Sequence, residues 1–333
     1  MMEKRPDTVR LQGLAQAYGQ SAALMSAVEL GLFTAVSEGA GTLGEIAGAL
    51  DIHPVNANRL VTMCVALGLL EPGDGRFVNA PDVERFLVKG KKSYAGDWML
   101  FTKHAWNDWG RLTEHLQARD LHVLPDIANF TVDQARAYHN ATYSVGMGAG
   151  RRFTRQADLS GRRKLLDLGG GSGAYCINAV QTWPSLTAVV FDLPPVVEVA
   201  RDFIAEHGLS DRIETIAGDF TQDPFPTDAD VVVMASNLPM YGPEMIERVV
   251  QKAFDALQPG GEMHLIGETL NDDRTGPLSA AFWGLGQALP ETEGVAHSES
   301  DCVGYFEKAG FGGVAVIPFV EGVLTRVVGY KPV

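Results

Sequence analysis

Residues 164–174 read Lys-Leu-Leu-Asp-Leu-Gly-Gly-Gly-Ser-Gly-Ala, an apolar run of strand length that breaks into four glycines, Gly169, Gly170, Gly171 and Gly173. Glycines let the chain turn tightly and let a ligand approach the backbone, and the run that follows is helical in pattern. A strand, glycine loop and helix in that order place a ligand at the carboxyl edge of an open α/β sheet. Further apolar, β-branched runs follow as LTAVVF, RIETIA, DVVVMA and EMHLIG, separated by helical stretches such as PPVVEVARDFIAEHG and PEMIERVVQKAFDAL. That alternation predicts an α/β fold with a Rossmann-like, doubly wound parallel sheet. The last two runs, GVAVIPF and GVLTRVVGY, are joined only by Val320-Glu321. No helical crossover fits there, so the sheet is expected to close with an antiparallel hairpin.

The whole chain has 333 residues, enough for two domains. Lys and Arg total 27 against 41 Asp and Glu, a net charge of -14. Such a field repels phosphate backbones and anionic lipid, so neither nucleic acid nor a membrane surface is an expected partner. Cys64, Cys176 and Cys302 are widely spaced and form no C-x-x-C pair, so a reducing cytoplasm is expected, and no metal cluster. MMEKRPDTVR lacks the apolar core of a signal peptide, and no apolar run is long enough to span a bilayer.

Ahead of the sheet, Leu14, Tyr18, Leu24, Val28 and Leu32 recur at helical spacing, with a break near Gly31. Thr42 and Glu45 form a capping-box signature before a short helix, and Pro54 opens a longer one. Pro72-Gly73-Asp74-Gly75 then turns between two short extended pieces. The outline is that of a winged helix. Residues 42–92 carry Arg59, Arg76, Arg85, Lys89, Lys91 and Lys92 against six acidic residues, which leaves no basic footprint for DNA. A helical, winged-helix-like dimerisation domain over residues 1–92 is therefore expected, with a helical linker and pocket roof over 93–158 and a catalytic domain over 159–333. In the roof, Tyr94, Trp98, Phe101, Trp106 and Trp109 alternate with Lys103, His104, Asn107 and Asp108, the mixture an apolar pocket with a few oriented polar groups requires. Ala135–Arg155 is expected to be a further helix, carrying Tyr138, His139, Tyr143, Met147, Arg151 and Arg152.

The glycines alone suit NAD or another nucleoside cofactor. Asp167 two positions before the first glycine, a site that follows an N-terminal domain, and the closing hairpin favour S-adenosylmethionine. Asp192, at the end of VVFDLPP, suits a ribose diol or a helix cap. Asp219-Phe220, in AGDF, suits an adenine amino group and base, or a turn. Asp167, Gly169, Gly171, Gly173, Asp192, Leu193, Asp219, Phe220 and Ser236 are the candidate cradle, with Arg151 and Arg152 for the cofactor's carboxylate.

LLDLGGGSG, VVFDLPP, GDF and ALQPGGEMHLIGE, behind a winged-helix-like front, resemble the class I S-adenosylmethionine-dependent methyltransferases of the small-molecule O-methyltransferase group, which includes caffeate, acetylserotonin and hydroxyneurosporene enzymes. The resemblance spans nearly the whole chain. It implies a homodimer through the N-terminal helices, S-adenosylhomocysteine as the cofactor product, and cofactor binding by Gly169, Gly171, Asp192, Asp219 and Phe220. It also exposes a departure. Where the family has Leu-His-Asp-Trp, with His as the general base, this chain has Leu238, Pro239, Met240 and Tyr241.

A hydroxyl acceptor of pKa about 10 normally needs a positioned base, worth about 100- to 10,000-fold. A thioether sulfur has no proton to lose, and orientation alone can carry its attack. The missing His therefore leads to the expectation of methyl transfer to the thioether of a small carboxylic acid without a general base. MASNLPMYG and SYAGDWMLFTK resemble, within the family, the bacterial methylthio-hydroxybutyrate S-methyltransferases of dimethylsulfoniopropionate (DMSP) synthesis. Trp106, Tyr143, Met147, Met240, Tyr241 and Trp283 would surround the sulfonium product, and Lys103, His104 and His139 complete the candidate acceptor site. The alternatives are O- or C-methylation with a displaced base among His104, His139 and His297, and a cofactor-binding regulator without catalysis.

Overall fold

The computed structural model describes residues 6–123 and 130–333, and its contacts divide the chain into two units, one ending at Trp106 and the other starting at Asn107. The division falls inside the 93–158 segment expected as a linker.

In the N-terminal unit, α1 (Val9–Leu30) stops where Gly31 takes φ 75° and its N–H donates to the carbonyls of Ala27 and Val28. That is the left-handed cap glycine favours, and it separates α1 from α2 (Leu32–Ser37). Thr42 and Glu45 make both bonds of the capping box at the start of α3 (Leu43–Ala49). Helix α4 (Pro54–Ala66) follows, and β1 (Leu70–Gly73) pairs antiparallel with β2 (Arg76–Asn79), which completes the winged outline. Helices α5 (Pro81–Phe86) and α6 (Gly96–Phe101) end the unit. Ala27, Val28, Leu32, Phe33, Ile46 and Val61 form its core, whereas Val9, Leu11, Leu14 and Tyr18 on the first half of α1 stay exposed.

The second unit contains short helices α7 (Trp106–Gly110, which begins on the last residue of the first unit) and α8 (Leu112–His115), then the long α9 (Val132–Gln156). Strand and helix then alternate as expected: β3 (Lys164–Leu168), α10 (Ala174–Thr182), β4 (Thr187–Asp192), α11 (Pro194–Glu206), β5 (Ile213–Ala217), β6 (Ala229–Ala235), α12 (Pro243–Ala256) and β7 (Leu257–Gly267). A short β8 (Thr269–Leu270), α13 (Leu278–Gly286), β9 (His297–Ser298) and α14 (Glu299–Ala309) precede the hairpin of β10 (Gly312–Val320) and β11 (Leu324–Tyr330). The sheet order is β10-β11-β7-β6-β3-β4-β5, parallel from β7 to β5 and antiparallel at the closing hairpin.

Both sheet faces are covered, which is why the strands read as continuous apolar runs rather than as alternation. Leu166, Leu168, Val232 and Met234 face α12 and α14 in one core, and Leu165, Val231, Val233 and Ile266 face α9, α10 and α11 in the other. By the period of two, Asp167 and Glu268 share the α9 side with Leu165 and Ile266. Among the described residues no helix is long and apolar enough to cross a membrane.

Candidate active site

Strand β3 lies between β4 and β6, so consecutive connections leave it in opposite directions and open a crevice at its carboxyl end. The glycine loop fills that point. Gly169 has φ 63°, and a Cβ there would stand 2.6 Å from Asn237 Nδ2 and 3.1 Å from the Phe220 ring. Gly171 has φ 56°, and a Cβ would stand 2.7 Å from the His139 ring. The loop is thus held between Phe220 and Asn237 on one side and α9 on the other. Gly173, at φ 75°, is the N-cap of α10. Beneath the loop, Asp167 is 1% exposed, and Cys176 Sγ donates to its Oδ2 at 3.6 Å. Burial raises its pKa to about 7.

The ends of the parallel strands present a row of polar groups, each about 4.8 Å from the next strand. In spatial order these are Glu268 beyond β7, Ser236 and Asn237 beyond β6, Gly169 beyond β3, Asp192 on β4 and Asp219 beyond β5. Asp192 Oδ2 accepts from Gly171 N at 2.8 Å, and Oδ1 accepts from Leu193 N at 2.7 Å. Burial raises the Asp192 carboxyl to about 6 against the opposing pull of those two donors. Each oxygen keeps a second lone pair for a diol. Asp219 organises its own turn: Oδ1 accepts from Thr221 N at 2.8 Å and from Thr221 Oγ1 at 2.6 Å, and Oδ2 accepts from Gln222 Nε2 at 2.9 Å. Phe220 is buried and meets Tyr241 edge to face at 5.4 Å. A glycine turn at the sheet edge, a preset diol acceptor and an adjoining ring fit the nucleoside of S-adenosylmethionine.

A nucleoside over β4 and β5 would leave β6 and β7 for an acceptor. Ser236 has φ 62°, a left-handed conformation rare for non-glycine residues, and its N–H donates to Ile266 O at 2.9 Å. The turn Leu238–Met240 follows, with Leu238 and Pro239 buried, Met240 half-buried against the α12 core, and Tyr241 inside that core. Tyr241 therefore backs Phe220 rather than lining a sulfonium cage. Gly267 presses on Leu238, where a Cβ would stand 2.9 Å from the Leu238 side chain, so the end of β7 adjoins this turn. Glu268, the next residue, is half-buried, and burial raises its pKa. It lies beside two tyrosines of α9 and α10. Burial and then the Asp192 and Glu268 charges push the Tyr138 phenol up; burial and then the Asp167 and Glu268 charges push up that of Tyr175, whose hydroxyl is buried without a hydrogen-bond partner. Glu268, Asn237 and Tyr175 were not among the residues singled out in the sequence, and Tyr138 was named there only as part of the expected helix. A carboxylate directly after the last parallel strand was the available signal for Glu268.

Other expected site residues are engaged elsewhere. Tyr143 stacks on Phe203 at 4.3 Å, and its hydroxyl pairs with His207 Nε2 at 2.6 Å. Met147 Sδ accepts from Asn178 Nδ2 at 3.4 Å. Arg151 and Arg152 lie on the exposed face of α9. His297 is 1% exposed, with Nδ1 against Tyr305 Oη at 2.8 Å and Nε2 against Tyr241 O at 2.9 Å, so both ring nitrogens are committed to structure. His139 does adjoin the loop, and burial lowers its pKa to about 4, which keeps it neutral at pH 7. Trp283 is on α13, next to Phe282, which stacks on Trp109 at 4.9 Å. In the N-terminal unit, Lys103 pairs with Glu29 at 2.6 Å, His104 Nδ1 lies 2.9 Å from Phe101 O, and Trp106 is 36% exposed. Among the described residues no cluster suits a metal ion. An open groove between Glu244, Glu247, Arg248 and Lys308 lies on the outer faces of α12 and α14 and contains none of these groups.

A glycine loop at the switch point, a diol-type carboxylate on the next strand and a closing antiparallel hairpin define the class: an S-adenosylmethionine-dependent methyltransferase. The chain belongs to the O-methyltransferase family, since residues 129–312 match the O-methyltransferase domain and residues 12–89 the O-methyltransferase dimerisation domain. It is 31% identical over 93% of its length to the 3-hydroxy-5-methyl-1-naphthoate 3-O-methyltransferase of Streptomyces sahachiroi, of which 91% is covered. It is also 31% identical, over 96% of its length and 95% of the relative's, to the tetracenomycin polyketide synthesis 8-O-methyl transferase of Streptomyces glaucescens. The structure of human N-acetylserotonin methyltransferase in complex with S-adenosylmethionine matches with a TM-score of 0.82 at 22% identity, covering 100% of both chains, and shares the fold. The enzyme is thus a small-molecule methyltransferase, and neither these relatives nor this structure supports a preference for sulfur.

Proposed function

We propose that the enzyme methylates a hydroxyl oxygen of a small aromatic compound, with Glu268 in the role of the displaced base. The observation that carries this reading is the half-buried Glu268 carboxylate beyond β7, on the acceptor side of the glycine loop, with its pKa raised by burial. The relatives named for naphthoate and tetracenomycin O-methylation support an aromatic acceptor. When bound, S-adenosylmethionine supplies an electrophilic methyl group on a sulfonium and leaves as S-adenosylhomocysteine. Glu268 would accept the acceptor's hydroxyl proton and so free the oxygen pair for the methyl group that the cofactor would supply. A raised carboxyl pKa narrows the gap to a phenol of pKa about 10. Asp192 holds the ribose end, and the loop from Gly169 to Gly173 holds the chain between. His139 packs against Gly171 and stays neutral, which keeps a second cation away from the sulfonium.

Glu268→Gln is the test. With a hydroxyl acceptor, kcat should fall about 100-fold or more while cofactor affinity changes little. An unchanged kcat would remove Glu268 from the chemistry.

A second reading, transfer to a thioether sulfur as in methylthio-hydroxybutyrate methylation, rests on the sequence resemblance alone, which puts the buried Pro239 where the family has its imidazole. Mass spectrometry of products from hydroxyl and thioether acceptors decides between the two, and the thioether product should be insensitive to Glu268→Gln. We further propose a homodimer through α1, whose exposed Val9, Leu11, Leu14 and Tyr18 form an apolar surface within a dimerisation domain.

A further inference from the structure

At the carboxyl edge the acidic groups of the described residues gather beside the acceptor half, and Arg274, the cation felt by His297 behind the Leu238–Met240 turn, is paired with Asp301 at 3.8 Å. Glu262, His264 and Ile266 alternate along the α9 side of β7, and Glu268 follows directly beyond its carboxyl end. From α9 and α10 the Tyr138 and Tyr175 phenols feel its charge, and His139, packed against Gly171, is neutral. Asp167 and Asp192 stand behind the glycine loop.

The cations of this unit that lie nearest in the fold are turned elsewhere. Arg326 pairs with Ile266 across the β11–β7 ladder, but Nη1 donates to His264 Nδ1 at 3.1 Å and Nη2 to Gln156 O at 3.3 Å, back along the strand. Lys252 donates to Phe220 O at 2.8 Å on the nucleoside side. Arg151 and Arg152 are exposed, about 18 Å along α9 from His139 at 1.5 Å per residue.

We infer that the acceptor site selects by charge next to the reacting hydroxyl: a neutral or cationic neighbouring group is accepted there, and a carboxylate beside the reacting hydroxyl is refused. This inference rests on the hydroxyl reading above and narrows its substrate class. Two like charges about 5 Å apart at an effective dielectric near 20 repel enough to change an affinity more than about 100-fold, so the selection is large even after partial screening. The same carboxylate attracts an ammonium and accepts from a neutral hydroxyl. A thioether carboxylate fits this surface poorly for the same reason.

The experiment is calorimetric titration of the full-length enzyme saturated with S-adenosylhomocysteine, a complex in which no turnover occurs. The probes are 2-naphthol, 3-amino-2-naphthol and 3-hydroxy-2-naphthoate, which share one skeleton. The neutral and amino compounds should bind at least about 30-fold more tightly than the carboxylate. In Glu268→Gln the ratio should fall at least about tenfold. Equal or tighter binding of the carboxylate by the wild-type enzyme overturns the inference, as does failure of 2-naphthol to bind at millimolar concentration. An unchanged ratio in Glu268→Gln also overturns it, because the discrimination would then lie elsewhere. Adding S-adenosylmethionine in place of the product separates the two proposals. Bound 2-naphthol that gains no O-methyl group counts against the hydroxyl reading alone, whereas the binding ratio judges the charge selection alone.

Discussion

The two halves of the crevice are built differently. On the nucleoside side, both Asp192 oxygens accept backbone N–H groups and both Asp219 oxygens are held within its turn, so these carboxylates are fixed before any ligand arrives. On the acceptor side, Glu268 sits at the end of a strand beside the orphaned Tyr175 hydroxyl, and Ser236 bends through a left-handed conformation into a turn of Leu, Pro and Met. A preset carboxylate costs little to reorganise and suits a ligand that never changes. Glu268, which accepts from its own backbone N–H, can still move a proton and adapt to an acceptor. Binding and chemistry are therefore separable by mutation across a distance of three strands.

The largest loss that leaves Glu268 untouched should come from Gly171→Val. Its φ of 56° disfavours a β-branched residue, and the new Cβ would meet the His139 ring at 2.7 Å. Cofactor affinity should drop at least about 100-fold by calorimetry, since the left-handed strain of roughly 1–2 kcal/mol adds to the clash. If His139→Ala restores none of it, the packing of α9 on the loop is not what limits this position. Asp192→Asn comes next, weakening cofactor binding by about 1–3 kcal/mol through lost charge-assisted bonds.

Acid should reproduce that second effect. With the Asp192 pKa raised to about 6, the carboxylate that would accept both ribose hydroxyls prevails above that pH and is lost below it. Cofactor affinity should thus be level above about pH 7 and fall by up to about tenfold per unit below 6. Asp192→Asn should flatten that fall. An equally steep decline in the variant would assign the titration to Asp167, whose pKa is near 7.

The nucleoside half was also the more legible one in the sequence. Its residues are consecutive with strand ends, so the runs LTAVVF and RIETIA carry Asp192 and Asp219 to the edge by topology alone. The closing hairpin and the capping box of Thr42 and Glu45 were legible for the same reason, because local chemistry decides them. The acceptor half depends on which way a side chain turns after the fold closes. Tyr143 and Met147 share α9 with His139, and nothing in their spacing says that Tyr143 will stack on Phe203 or that Met147 will meet Asn178. Tyr241 is an aromatic residue in a turn, and only packing shows it behind Phe220. Glu268 was hidden among the chain's 41 acidic residues until the sheet order put it in the row with Gly169.

The smallest expected effect concerns the two arginines of α9. Arg151 and Arg152 suit a carboxylate by type, yet both are exposed in the last turns of a 25-residue helix, where a cation interacts favourably with the helix C-terminus without any ligand. Such a contribution is about 0.3–1 kcal/mol and is screened by salt. The double variant Arg151→Ala, Arg152→Ala should therefore leave cofactor affinity within about twofold by calorimetry at 150 mM salt. A loss of tenfold or more would mean that α9 moves to bring a guanidinium over the loop when the cofactor binds. The nucleoside half would then be preset at Asp192 only, and the contrast between the two halves would narrow to one carboxylate.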